Sequence, residues 1–176
     1  MQSLAEYLFR AQRRGELNFM LIGGRSLEAH GYVRNTKDVD FLIATHDIPV
    51  MERLLTSIGY RKEAETEIFS RWKHSSMEAE DVDLMFVGAS TFESLNQDCV
   101  TMQIGSAVLR VPSVAGIAAL KLHAIKNNPE RLAKDSTDII SLMRLNPAAL
   151  DHDGLRTLCG KFGNAEIWAK LELLLS

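Results

Sequence analysis

LIGGRSLEAHGYVRNTKDVDFLI, residues 21–43, joins two apolar runs through a segment rich in glycine and charge. The first run, Leu17 to Ile22, predicts a buried strand that ends at Gly23-Gly24. Glycines at such a point let the backbone turn sharply and approach a ligand closely. The helix start that follows offers free N–H groups to an anion, and Ser26 adds a hydroxyl. The glycine pair is therefore a candidate anion-binding turn, and an ordinary turn is the alternative.

The second run carries an acidic pair, Asp38-Val39-Asp40, at its start. Residues i and i+2 of a strand share a face, so both carboxylates point the same way. Like charges this close oppose each other's ionisation unless a cation lies between them. Mg²⁺ binds carboxylate oxygens together with substrate phosphates. The pair therefore predicts a magnesium site, with a solvated strand end as the alternative for the pair alone.

The order of acid and apolar residues separates possible chemistries. In haloacid-dehalogenase phosphatases and many sugar-nucleotide glycosyltransferases, the acidic pair comes after the apolar run. Here the run Phe41 to Ala44 follows the pair. The pattern argues against both of those families.

A third carboxylate, Asp83, lies in the run DVDLMFV at residues 81–87. If this strand lies beside residues 39–44, Asp83 faces the same site. Three carboxylates bridging two metal ions, roughly 3.5–4 Å apart, suit an in-line phosphoryl displacement. Asp83 is the candidate that accepts a proton from an attacking hydroxyl. Asp81 is its rival, and Asp83 is preferred because it lies deeper in the apolar run, where an unpaired charge is costly.

Together these residues resemble the signature of the polymerase-β-like nucleotidyltransferase superfamily. That signature is a glycine pair after the first strand, an acidic D-x-D on the second and a third acid on a later strand. Arg34-x-Thr36-x-Asp38-x-Asp40 resembles more narrowly the AbiEii-type branch, known for toxins of toxin–antitoxin pairs. Lys121 and the segment RLAKDSTDI at residues 131–139 resemble the same branch.

The resemblance implies an enzyme that transfers a nucleoside monophosphate from a nucleoside triphosphate to a hydroxyl. Asp38, Asp40 and Asp83 would be the catalytic residues and would bind two Mg²⁺ ions. The implied nucleotide-binding residues are Gly23, Gly24, Arg25, Ser26, Arg34, Thr36, Lys121 and Asp138. Lys121 would contact the triphosphate, and Asp138 would orient that lysine or shape the pocket. Arg25 stands where many members have a small residue.

The acceptor stays open among RNA, transfer RNA and protein, and a toxin would have an antitoxin partner. A second hypothesis is a binding or regulatory module of the same fold that has lost catalysis and acts through a protein partner. Retention of the glycine pair and all three acids speaks against this module.

Composition limits the partners further. The 176 residues are 46% apolar with a net charge of −3, so no global field attracts nucleic acid or an anionic membrane. Arg10, Arg13 and Arg14 form the best basic patch, with a solvated helix face as the alternative. Cys99 and Cys159 define no disulfide or zinc pattern, which makes a reducing cytoplasm the expected compartment. No apolar run approaches the ~18 residues of a membrane span, so no membrane partner is expected.

The order of the elements predicts an α+β fold with a nucleotidyltransferase-like mixed β-sheet flanked by helices. Residues 1–112 would form the catalytic core. Residues 113–176 would form a C-terminal helical bundle packed on it, or the two would be one continuous domain. The run from Glu67 to Lys73 predicts an outer strand, and Gly105-Ser106 predicts a hairpin turn.

Overall fold

The computed structural model describes residues 3–76 and 78–175. The chain divides into two compact units, Met1–Ala29 with Val33–Pro112, and His30–Tyr32 with Ser113–Ser176. The strands that the structure describes all lie in the first unit. Whether the units are separate domains, as suggested for residues 1–112 and 113–176, stays a prediction.

A five-stranded mixed sheet forms the centre of the first unit. Its strands are β1 (Phe19–Ile22), β2 (Asp38–Ala44), β3 (Tyr60–Thr66), β4 (Phe69–His74) and β5 (Asp81–Val87). Their order across the sheet is β1-β2-β5-β4-β3. Among the strands of this sheet that the structure describes, β2 and β5 pair in parallel and the other neighbours are antiparallel. This mixed sheet with its helices confirms the predicted α+β class.

The two faces of the sheet differ because side chains alternate along each strand. On one face Val39, Phe41, Val82 and Leu84 are at most 3% exposed. Phe19 meets Phe41 edge to face, with ring centroids 5.3 Å apart, a favoured aromatic geometry. This apolar face anchors β2 and β5, and the alternate residues at their starts are acidic.

Further elements complete the first unit. Its helices are α1 (Leu4–Arg13), α2 (Gly23–Ser26), α3 (Ile48–Ser57) and α4 (Ala89–Gln97). The strands β6 (Val100–Ile104) and β7 (Ala107–Val111) form a separate hairpin, as predicted from its turn. Helix α1 begins at a capping box, in which Ser3 and Glu6 satisfy each other's backbone N–H groups.

The second unit is helical. Its helices are α5 (Val114–Asn127), α6 (Leu132–Leu145), α7 (His152–Phe162) and α8 (Ala165–Leu175). The fully buried side chains include Leu122, Ile139, Leu155 and Leu171. Among the residues described, no helix combines the length and apolar character needed to cross a membrane.

The predicted outer strand proved to be an inner one. Strand β4 lies between β5 and β3, and β3 forms the edge of the sheet. The sequence did not predict β3 because only Tyr60, its first residue, is buried, so no alternating pattern is present. This correction matters for the site, because an inner β4 brings its side chains next to β5.

Candidate active site

The parallel pairing of β2 and β5 brings four carboxylates to one face of the sheet. Asp38 lies opposite Asp81, and Asp40 lies opposite Asp83. Partners in register point to the same face, so the condition that Asp83 neighbours the acidic pair is confirmed. Asp38 and Asp40 are part-exposed, whereas Asp83 is 7% exposed.

The glycine turn packs directly against this acidic face. Strand β1 ends at Ile22, which pairs with Asp40, and Gly23 follows with a φ of +66°. A Cβ at Gly23 would overlap the Oδ2 and Cγ atoms of Asp40 and lie 2.7 Å from its Cβ. Glycine is required here for two reasons: the positive φ, and the close approach of the backbone to Asp40.

The loop that precedes β2 also packs against this glycine turn. A Cβ at Gly24 would lie 2.9 Å from Nη2 of Arg34 and 3.1 Å from Cβ of Thr36. The Thr36 hydroxyl donates to Oδ1 of Asp38 at 2.9 Å. Six of the predicted site residues therefore lie in one contiguous cluster: Gly23, Gly24, Arg34, Thr36, Asp38 and Asp40.

Asp83 has a partner that the sequence did not predict. Arg71 of β4 pairs with Asp83 in register and donates to both of its carboxylate oxygens, Nε to Oδ1 at 2.8 Å and Nη2 to Oδ2 at 2.7 Å. The hydrogen bond with Asp83, followed by its charge, raises the pKa of Arg71. This bidentate geometry is the strong form of a charged pair.

The donor chemistry of the acidic face fits Mg²⁺. Carboxylate oxygens are its usual protein ligands, and Asp38 and Asp40 offer them from one strand face beside a close-packed glycine. Yet no group of three His, Cys, Asp or Glu side chains within residues 3–76 and 78–175 is arranged to hold a metal ion. Asp83, the third candidate ligand, accepts from Arg71 with both oxygens, and the positive charge of that arginine opposes a cation bound there.

Ser26 and Arg25 take other partners. The Ser26 side chain is fully buried and its hydroxyl donates to the Gly23 carbonyl at 2.8 Å, so it supports the turn. Arg25 donates to Glu80 and lines a small cleft with Val39 and Phe41. Those two apolar residues lie on the face opposite the carboxylates. Nucleotide contacts for Ser26 and Arg25 stay predictions, and this geometry does not favour them.

Lys121 and Asp138 belong to a buried ionic network in the second unit. The Lys121 ammonium donates to Asp138 Oδ2 at 2.7 Å and to Asp135 Oδ1 at 2.9 Å, and Arg131 donates to the other oxygen of Asp135. Burial alone would raise the pKa of Asp135, but the two cations together lower it. Lys121 and Asp138 are therefore ion-paired. Whether Asp138 orients the lysine for a triphosphate or helps to shape a nucleotide pocket stays a prediction.

Three residues with defined roles were missed: Arg71, Glu80 and Asp135. Asp135 had a usable signal, because it stands three positions before Asp138 and such residues share a helix face. Arg71 shares one face of a strand with Phe69 and Lys73, but its partner depends on which strand lies beside β4. Glu80 had no local signal.

No family model matches the chain, and no curated protein matches its sequence. Solved structures do match its fold. The antibiotic-resistance factor ANT(2'')-Ia matches with a TM-score of 0.64 and 20% identity, over 94% of this chain and 91% of that one. Its complex with adenylyl-2''-tobramycin gives 0.63 and 18%, over 89% and 92%. The lincosamide antibiotic adenylyltransferase LnuA, with lincomycin bound, gives 0.56 and 13%, over 82% and 99%. The chain therefore has a nucleotidyltransferase fold.

Proposed function

We propose that the chain is a Mg²⁺-dependent nucleotidyltransferase of the polymerase-β-like superfamily. It would transfer a nucleoside monophosphate from a nucleoside triphosphate to a hydroxyl. One observation carries the proposal: Asp38 and Asp40 share a sheet face with Asp83 in parallel register, and Gly23 packs against Asp40. The shared fold supports the same conclusion.

The chemistry is an in-line displacement at phosphorus. The acceptor hydroxyl oxygen forms a bond to the α-phosphorus while the bond to the bridging oxygen breaks, and pyrophosphate leaves. Mg²⁺ held by Asp38 and Asp40 would supply charge neutralisation for the triphosphate. Asp83, which also accepts from Arg71, would take the hydroxyl proton. Asp81 stays the alternative proton acceptor.

The glycine turn would bind the phosphates. Gly23 and Gly24 begin a short helix whose first N–H groups have no partner within it. Gly23 packs against Asp40, and the Arg34 guanidinium lies against Gly24. Preformed donors of this kind stabilise negative charge that develops during transfer. Because catalysis then depends mainly on positioning, small shifts of Asp38 or Asp40 should reduce the rate strongly.

The acceptor is proposed as a class, a hydroxyl-bearing molecule. RNA, transfer RNA and protein are candidates from the resemblance to the AbiEii-type branch, which also motivates a toxin role with an antitoxin partner. The matched structures add small hydroxylated antibiotics, because one holds an adenylylated tobramycin and another holds lincomycin. Growth inhibition on expression, relieved by the neighbouring gene, would test the toxin role.

The direct test is transfer of label from α-labelled triphosphates, one base at a time, to a panel of these acceptors with Mg²⁺. We expect labelled product and pyrophosphate with the native chain and none with Asp38→Ala or Asp40→Ala. Asp153→Ala is the matched control, since its side chain is 95% exposed and lies in the second unit. Equal transfer by the native chain and the Asp38 and Asp40 variants would contradict the proposal.

A binding module with reduced catalysis is the second candidate, favoured by the engagement of Asp83 with Arg71. Thermal unfolding separates the two. A ligand that binds the native state raises the melting temperature. An increase with Mg²⁺ and a triphosphate, absent in the Asp38→Ala/Asp40→Ala variant, supports the enzyme. No increase at any concentration supports the module.

A further inference from the structure

Arg71 supplies a positive charge at the place where a third metal ligand is needed. Both oxygens of Asp83 accept from its guanidinium, at 2.8 and 2.7 Å. The Asp83 side chain is 10% exposed, while that of Arg71 is 44% exposed. The carboxylate is therefore fixed and enclosed, whereas the arginine borders solvent and has room to leave.

We propose that Arg71 is a built-in competitor for divalent cations at Asp83. It holds this carboxylate when no divalent cation does, and its positive charge opposes a divalent cation at Asp83 until it leaves. The inference rests on the proposed function, because it assumes that the acidic face binds a metal ion.

The charge distribution favours competition between Arg71 and a divalent cation for Asp83 over a permanent pair of Arg71 with Asp83. Asp38, Asp40, Asp81 and Asp83 share one face of two adjacent strands, about 4.8 Å apart. Such a group favours nearby compensating cations. Arg71 is in register with Asp83, and the charge of Lys73 acts on Asp81. A divalent ion bound there would take over this compensation and would repel the guanidinium. Asp83 would thus become the third ligand only when a divalent ion displaces Arg71.

A lysine on the same strand offers a matched control. Lys73 lies two positions from Arg71, on the same face of β4, but it pairs with Glu63 at 2.7 Å, and both side chains are about half exposed. Arg71→Met and Lys73→Met change the net charge equally. Only the first removes the partner of Asp83.

The experiment measures Mn²⁺ binding, followed by the electron paramagnetic resonance signal of the free ion, in the full chain without nucleotide. We expect Arg71→Met to bind Mn²⁺ about tenfold more tightly than the native chain, equivalent to about 1.4 kcal/mol. Lys73→Met should change the affinity less than about twofold. Arg71→Gln, which retains one donor for Asp83, is measured in parallel to protect against a folding defect and should shift in the same direction.

Asp83→Asn provides the second half of the test. The tighter binding of Arg71→Met should disappear in the Arg71→Met/Asp83→Asn variant. Unchanged or weaker binding in Arg71→Met and Arg71→Gln, an increase equal to that of Lys73→Met, or an increase that persists without Asp83 would each overturn the inference. Failure of the proposed function is read separately, from the absence of nucleotide transfer by a native chain whose Mn²⁺ binding follows this pattern.

Discussion

Replacing Gly23 by alanine should disturb the site at one identifiable side chain, Asp40. The substitution adds a Cβ in a backbone conformation, φ +66°, that L-residues rarely adopt, and this Cβ overlaps the carboxylate of Asp40. Gly15 offers an unusually close control. Its φ is +73°, and a Cβ there would meet nothing within 4 Å. The two variants share the conformational cost and differ in the clash.

The expected magnitudes follow from these two terms. The left-handed conformation costs an alanine roughly 1–2 kcal/mol, and this should be nearly all that Gly15→Ala loses. Overpacking a close contact adds typically about 1–3 kcal/mol. Gly23→Ala should therefore lower the free energy of unfolding by about 2–5 kcal/mol. Both substitutions reduce the chain entropy of the unfolded state equally, so this effect cancels in the difference between the two variants.

Urea unfolding measures both free energies, and a double-mutant cycle assigns the clash. Asp40→Gly removes the three atoms that lie nearest to the new Cβ, so in this background Gly23→Ala should cost about as much as Gly15→Ala. If Gly23→Ala and Gly15→Ala are equally destabilising in the native background, the close packing of Gly23 on Asp40 is refuted.

Two further predictions concern charges away from the acidic face. Lys121→Met should lower the free energy of unfolding by about 3–5 kcal/mol, because it leaves the buried carboxylates of Asp135 and Asp138 with one cation fewer. Lys170→Met, which breaks an exposed pair, should cost at most about 1 kcal/mol in the same urea titration; equal losses would contradict the buried network. Glu6 should titrate with a pKa of about 2, chiefly because the Ser106 hydroxyl donates to it. Since folding lowers this pKa from 4.5, its contribution to stability is present above pH 4.5 and is lost as the pH falls toward 2. Ser106→Ala should raise the Glu6 pKa in a carboxyl NMR titration, and an unchanged value would contradict this assignment.

Elements with a buried face were predictable from the sequence, and elements without one were not. Strands β2 and β5 carry continuous apolar runs after their acids, and the sheet buries those runs. Strand β3 reads YRKEAET and exposes every residue after Tyr60. It is held by pairing with β4 and by ion pairs of Lys62 with Glu52 and Glu65. Helix α4 likewise buries only Phe92, so neither element had a periodic signal.

In the candidate site, too, some contacts were predictable from the sequence and others were not. The common face of Asp38 and Asp40 follows from strand geometry alone, and Asp83 joined them once β5 paired with β2. The contact between Arg71 and Asp83 could not be predicted, because it depends on which strand lies beside β4 and on the register of that pairing. The position of Arg25 on the far side of the sheet likewise depends on the twist of the turn and on Glu80, which is distant in sequence.

The parallel register of β2 and β5 has a consequence for how the acidic face is specified. A slip of one residue between these strands would turn Asp81 and Asp83 inward and expose Val82 and Leu84. Burying two carboxylates among apolar side chains without partners would be strongly unfavourable. The apolar residues on the buried face therefore fix the strand register that places the carboxylates side by side. We expect them to tolerate exchange for other apolar residues of similar size, but an insertion or deletion of one residue in either strand would dismantle the site without altering a single acid.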